Sequence, residues 1–453
     1  MTDIPWLDAT TLARNIRDGE ISAAEAVRAQ LDQIAAVNPA LNAVITLAAD
    51  AALAEAERLD GEQATGPLHG VPILLKDCHE TAGMRTTAGS PRLGDYVPLA
   101  DGTVARRLRE AGAIVLGKTN VSEFLTDVQT TNPLFGRTNN PWNLDRIPGG
   151  SSGGAAAAVA AGLAPLDIGS DIGGSIRIPA HCCGIFGLKP TDGRVPNAGH
   201  IPDLPGDLRT TRVMNCIGPL ARSIDDLELA LNIIAGPDIA DPDVPPVALD
   251  PAPRIDLAVT RFAIAQRFPG LPADAATQQA IAQIGLALEG AGSAVEEVLP
   301  EIDFDEQLAT RAALRVIVRM RIEPPTAPPS AEEYFRLLQQ RDELIGDWER
   351  FFATYDALIC PVMMVPAFPH CERGTPIMVD DATESYDLLA GYCRPFNLTG
   401  HPVVTLPVGL SPDGLPIGVQ VVGARWSEAR LLGIARAMAE AMPQIATLRP
   451  GGV

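Results

Sequence analysis

The chain has 453 residues, 46% apolar and 20% charged, with 41 glycines and 40 prolines, a profile that excludes a disordered chain and fits a folded protein rich in turns. A formal net charge of −21 argues against a nucleic-acid surface, because phosphate contacts need clustered Lys and Arg. No apolar run is long enough for a signal peptide or a membrane span, so the expectation is a cytoplasmic protein without a membrane partner.

The seven cysteines are irregularly spaced, which suggests reduced thiols, and the six histidines contain no H-x-x-x-H pair. Neither pattern supports a metal site, and no cofactor is expected. At the N-terminus, Ser22 and Glu25 have capping-box spacing, and Val27, Leu31 and Ile34 follow at helical intervals. A second helical stretch, 48–59, ends at Gly66-Pro67. Val71 to Leu75 is then strand-like and ends at Lys76. A helix over 101–112 followed by an apolar run at 113–116 repeats the unit, and alternation of this kind is the grammar of an α/β protein.

The Pro- and Asp-rich stretch 237–253 reads as a surface connection. Helical patterns follow over 275–288, 304–321 and 331–354. Strands are expected at 357–360, 403–406 and 417–422, with a last helix from Ser427. The organisation expected is a helical arm (1–62), a core bearing the chemistry (63–236), a variable, mostly helical substrate-side segment (237–354) and a C-terminal return to the core (355–453).

The most informative stretch runs from Pro148 to Pro190. Gly149-Gly-Ser-Ser-Gly-Gly154 must be a tight loop, since four glycines in six residues destabilise regular structure and permit close backbone approach. Ala155 to Ala161 is helix-forming, so the loop should deliver Ser151 and Ser152 to a helix N-terminus. After a further apolar run, Asp171-Ile-Gly-Gly-Ser175 is a second loop whose successive N–H groups can converge on an oxyanion. A lone Gly-Ser loop is often a linker. Two of them bracketing one helix-strand unit, both with apolar flanks, belong at the edge of a core.

These residues resemble the amidase signature family of serine hydrolases. The resemblance rests on the Gly-Ser loop, on Asp171-Ile-Gly-Gly-Ser-Ile-Arg-Ile-Pro179, on Gly184-Ile-Phe-Gly-Leu-Lys-Pro190 and on Gly70-Val-Pro-Ile-Leu-Leu-Lys-Asp77. It extends to Gly117-Lys-Thr-Asn-Val-Ser-Glu-Phe124, Asn139-Asn-Pro-Trp142 and Pro395-Phe-Asn-Leu-Thr-Gly-His-Pro402. It implies a mixed central β-sheet flanked by helices on both faces, forming a single compact core with a mostly helical variable insertion. Carried over position by position, it makes Ser175 the nucleophile, Ser151 a bridging serine on a cis peptide and Lys76 the base. It also assigns the oxyanion hole to the amides of Ile172, Gly173, Gly174 and Ser175, with Ser152, Asp171 and Arg177 bracing the loops. Leu125, Thr126, Val128 and Gln129 are implied on one pocket wall, and Met214 with the Val362 to Phe368 strip, Met363 included, on the other. The N-terminal helices resemble an arm used for homodimer pairing.

This chemistry needs these residue types. An amide nitrogen leaves poorly, so the nucleophile must be activated, the oxyanion stabilised and the amine protonated. Lysine serves as base only when neutral, which requires its pKa to fall by about three units, on the order of 4 kcal/mol. Lys76 after an apolar run, near a helix N-terminus, meets two conditions that disfavour the ammonium.

A G-x-S-x-G elbow of the α/β-hydrolase type is matched at Ser151 and Ser152, but the preceding Asn140 to Pro148 segment lacks strand character. A fold that has lost activity conflicts with the presence of all three catalytic residue types. The family also includes the glutamine-hydrolysing subunit of a tRNA-dependent amidotransferase, and that reading stands as the alternative. The mostly apolar wall residues favour a stand-alone enzyme acting on a small-molecule amide: a broad amidase for hydrophobic acyl or aryl amides, with esters and carbamates (a urethanase activity) as further substrates.

Overall fold

The computed structural model describes residues 3–327, 329–442 and 449–451, so the ends of the expected arm and C-terminal segment and residue 328 of the middle segment lie outside the described residues. In chain order the strands are β1 (Val44–Leu47), β2 (Pro72–Lys76), β3 (Ile114–Thr119), β4 (Thr131–Asn132), β5 (Gly136–Arg137), β6 (Leu166–Asp171), β7 (Phe186–Lys189) and β8 (Cys216–Ala221). They continue with β9 (Arg261–Ile264), β10 (Ala294–Glu297), β11 (Ala357–Pro361), β12 (Ile377–Val379), β13 (Ala382–Glu384), β14 (Val403–Leu410) and β15 (Pro416–Val422). Eleven of these form one sheet in the order β1-β3-β2-β6-β8-β7-β14-β15-β11-β9-β10, while β4-β5 and β12-β13 are separate two-stranded ribbons. The sheet is mixed. β2 runs parallel to both β3 and β6, whereas β6 and β8, and β14 and β15, are antiparallel.

Every residue of β2 is buried, as expected for a strand covered on both faces. Its alternating side chains meet different cores. Ile73 and Leu75 pack with Leu12, Leu108 and Leu227 from the helices Ala9–Arg17, Thr103–Glu110 and Ile224–Ile234. Leu74 packs with Val27 from the helix Ala23–Leu41 and with the alanines of the helix Gly153–Ala160. The expected α/β architecture, with helices on both faces of a mixed sheet, is the one observed.

The capping box forms as read: Ser22 Oγ accepts from the Glu25 amide at 3.0 Å, and the Glu25 carboxylate accepts from the Ser22 amide at 2.7 Å. Two segments add strands to the sheet. The arm is not purely helical, since β1 pairs antiparallel with β3 and forms one sheet edge. The middle segment contributes β9 and β10, which extend the opposite edge beyond β11. Four-residue strands give too little alternation to announce themselves, and their pairing depends on an edge supplied from elsewhere in the chain. No helix among the described residues is long and apolar enough to cross a membrane.

Candidate active site

Lys76 is the last residue of β2, and strand alternation puts it on the face of Leu74, under the N-terminus of the helix Gly153–Ala160. Ser151 and Ser152 immediately precede that helix, and all three side chains are fully buried. Lys76 Nζ lies 2.8 Å from Ser151 Oγ and contacts the Ser170 hydroxyl at 3.1 Å and the Ser170 carbonyl at 3.3 Å. The Gly150–Ser151 peptide is cis. Glycine at 154 is required by close approach, because a Cβ there would sit 2.4 Å from the Asn120 amide nitrogen.

Burial pushes the Lys76 ammonium down to about 8, against the opposing pull of Cys78, Asp171 and Asp167. A lysine in water would stay charged at neutral pH, whereas this one has a substantial neutral fraction near pH 8. Ser170, absent from the sequence-derived site, supplies two of the three contacts to the amine. Its signal was position alone, as the last residue before Asp171 on the strand beside β2.

The second loop is shaped by Asp171. Its carboxylate accepts from the amides of Gly174 at 2.7 Å and Ile176 at 3.0 Å, and from Arg177 Nε at 3.0 Å and Nη2 at 2.9 Å. Asn397 Nδ2 adds a bond at 2.8 Å. Burial alone would push this carboxyl up. Arg177, Asn397 and the amides overcome that and hold it well below the usual carboxylate range. Arg177 is itself locked by Gln420 Oε1 at 2.7 Å, Asn397 Oδ1 at 2.6 Å and the Cys393 carbonyl at 2.9 Å. Asn397 and Gln420 were also missed by the sequence reading, since each acts from the far end of the chain.

This brace has a consequence for the oxyanion site. The Gly174 amide, expected among its donors, is engaged by Asp171, so the free donors in the loop are the amides of Ile172, Gly173 and Ser175, which have no partner among the described residues. The Ser152 amide donates to the Ser175 carbonyl at 3.3 Å and ties the two loops together. The Ser175 hydroxyl makes no hydrogen bond among the described residues, and Ser175 lines a cavity of about 370 Å³.

Leu125, Thr126 and Val128 line that cavity with Ile172 and Gly173. Gln129, Met214 and Met363 do not. Met214 and Met363 are fully enclosed in separate hydrophobic clusters. Gln129 is spent on the Cys371 carbonyl at 2.9 Å and the Tyr386 hydroxyl at 3.0 Å. The strip from Val365 to Phe368 lines a different cavity of about 600 Å³ that lacks Ser175. The expectation of a mostly apolar wall is therefore corrected: Arg311, Arg315, Arg319, Arg373 and Arg394 surround the Ser175 cavity, with Asp127 and Asp387. The chain uses Met214 and Met363 as core.

Cys78, His79 and His200 bring their ligand-type atoms within 4.8 Å of one another behind Lys76. Burial pushes the Cys78 thiol up to about 11 and His79 down to about 3, while His79 Nε2 is engaged with the Ile168 carbonyl at 3.0 Å. All three side chains are buried.

Comparison with known proteins identifies the chain's relatives. The sequence profile of the Amidase family matches residues 25–311 and 304–432. The chain is 36% identical to a glutamyl-tRNA(Gln) amidotransferase subunit from Symbiobacterium thermophilum, over 95% of each protein. Among solved structures, 6-aminohexanoate cyclic dimer hydrolase superposes with a TM-score of 0.82 at 30% identity, covering 99% of both chains. A bacterial aryl acylamidase of the amidase signature enzymes does so at 0.84 and 27% identity, covering 99% of this chain and 100% of that one. With the profile spanning nearly the whole chain and the fold shared end to end, this protein belongs to the amidase signature family.

Proposed function

We propose that the protein hydrolyses carboxamide C–N bonds through an acyl-enzyme on Ser175. The observation that carries this reading is the buried Lys76 amine 2.8 Å from Ser151 Oγ, in a loop hydrogen-bonded to the backbone of Ser175. A neutral amine has two N–H groups and one lone pair. The Ser170 carbonyl and hydroxyl take the two N–H groups, which leaves the lone pair for the Ser151 hydroxyl proton.

In the proposed reaction, Ser151 Oγ accepts the Ser175 proton while passing its own to Lys76, and Ser175 Oγ bonds to the substrate carbonyl carbon. The amides of Ile172, Gly173 and Ser175 hold the oxyanion. Collapse breaks the C–N bond, and the proton returns from Lys76 through Ser151 to the leaving amine. Water then repeats the sequence on the acyl-enzyme and restores Ser175. Esters and carbamates pass through comparable tetrahedral intermediates and are side substrates under this reading. Mass-spectrometric mapping of a serine-directed fluorophosphonate should find the label on Ser175; a label on Ser151 or Ser152 refutes the assignment.

A second reading is favoured by the 36% identity to an amidotransferase subunit over 95% of both chains, and by a polar cavity that suits a small charged amide better than an aryl one. Under it the chain releases ammonia from glutamine as one subunit of an assembly, and the partner and nucleic-acid contacts lie elsewhere in that assembly. Ammonia release from glutamine, compared with hydrolysis of a hydrophobic anilide, decides between the two. Faster turnover of glutamine selects the subunit reading.

A further inference from the structure

The cavity beside Ser175 concentrates positive charge in a protein whose formal net charge is −21. Arg311, Arg315 and Arg319 recur every four residues from the helix Phe304–Val318 into its C-terminal end, so they share one side. Arg394 enters from the start of the helix Arg394–Leu398. Glu323 pairs with Arg315 at 2.9 Å and with Arg319 at 3.6 Å. Arg311 and Arg394 form no ion pair among the described residues, and each leaves a buried Nε without a partner.

Arg311 is the informative one. It is only 7% exposed, and its Nη2 donates to the Ile172 carbonyl at 3.0 Å. A Cβ at position 173 would lie 2.6 Å from that same nitrogen. The guanidinium is thus pressed against the loop that carries Ser175, and its charged neighbours are Arg394, Arg315 and Arg319, with Asp171 a weaker opposing charge. A buried cation among like charges is expensive unless a counterion completes it, and a planar guanidinium matches a carboxylate with two parallel N–H···O bonds.

We propose that the substrate amide carries a carboxylate, and that Arg311 and Arg394 dock it beside Ser175. This rests on the reading of Ser175 as nucleophile and narrows the substrate class from carboxamides at large to anionic ones. The carboxylate belongs either to the acyl part or to the amine part of the substrate, and the same chemistry recognises both.

The test uses Ser175→Ala protein, which cannot turn over, titrated calorimetrically with succinamate and glutaramate (carboxylate on the acyl side), N-acetylglycine (carboxylate on the amine side) and the methyl ester of each. At least one acid should bind at least tenfold more tightly than its ester, and the one that does identifies the side. That advantage should vanish in Arg311→Gln and in Arg394→Gln; the latter removes a side chain with no hydrogen bond among the described residues, so misfolding does not obscure it. Equal binding of acids and esters, including no binding by any of them, overturns the proposal. Fluorophosphonate labelling of the wild-type protein is read separately: failure to modify Ser175 refutes the nucleophile assignment and leaves the carboxylate result standing on its own.

Discussion

A fully buried lysine is a stability cost, and Lys76 is informative because that cost is tied to its proposed task. Its folded pKa of about 8 lies below the ordinary 10.5, so between those values the unfolded chain binds more protons than the folded one. Stability should therefore rise with pH across that window, the Lys76 share amounting to about 3 kcal/mol, and the full penalty applies below it. Lys76→Met should abolish hydrolysis while leaving the protein as stable as wild type at pH 7, or about 1–2 kcal/mol more so, and should flatten the rise, as denaturant titrations at pH 7 and pH 10 would show. A neutral base also predicts a kcat/KM profile that climbs with pH to a plateau above about 8, falling tenfold per unit on the acid side. An activity indifferent to pH from 6 to 9 would remove Lys76 from the base role.

The loop between β6 and the helix Arg177–Cys183 is held by a network whose members come from distant parts of the chain. Asp171 and Arg177 are six residues apart and both fully buried, while Asn397 and Gln420 close the network from the C-terminal return. Removing one partner of a buried ion pair strands the other, so Arg177→Met should cost about 3–5 kcal/mol. Asn397→Ala removes a neutral side chain that bonds both members of the pair and should cost about 1–3 kcal/mol. Both should lower kcat more than they raise KM, because the loop that presents Ser175 loses its shape; urea titration and steady-state kinetics on one preparation measure the two effects together. An Asn397→Ala enzyme with unchanged stability and kcat would show that the brace is dispensable. Asp171 is held far below the usual carboxylate range, so the stability it contributes is present above its unfolded pKa and is lost only in strong acid. Mild acid should therefore leave this loop folded.

Across the whole molecule, the segment expected as an arm is part of the sheet. Residues 1–62 contain β1, which pairs with β3, and the helix Ala23–Leu41, whose Ala23, Val27 and Ile34 belong to the same hydrophobic cluster as Leu74 and the helix Gly153–Ala160. Truncation before Gln63 would expose that cluster and the edge of β3. A chain starting there should be insoluble or lack cooperative thermal unfolding by circular dichroism. If it stayed folded and active, the segment would be a separable appendage. The cavity is likewise a property of the whole: its arginines lie on the middle segment and the C-terminal return, whereas Ser175 and its loop lie in the segment before them.

The sequence by itself determined the family and the local structure of the two loops. Two glycine-rich loops, the strand ending at Lys76 and the helix after Ser152 are encoded over short spans, where glycine permits close approach and apolar runs fix burial; Lys76 and Ser151 do meet. Only the tertiary structure decided what surrounds them. Ser170, Asn397 and Gln420 act by proximity across tens to hundreds of residues, and no local pattern signals such contacts. The same reason explains the cavity: Met214 and Met363 are apolar in any reading, but whether an apolar side chain becomes a pocket wall or core depends on what packs over it. The strands β1, β9 and β10, at the two ends of the sheet, are too short for periodicity to mark, and they become strands because a neighbouring strand offers hydrogen bonds. The arginines at 311 and 394 are 83 positions apart in the sequence, and only the fold turns them toward one serine.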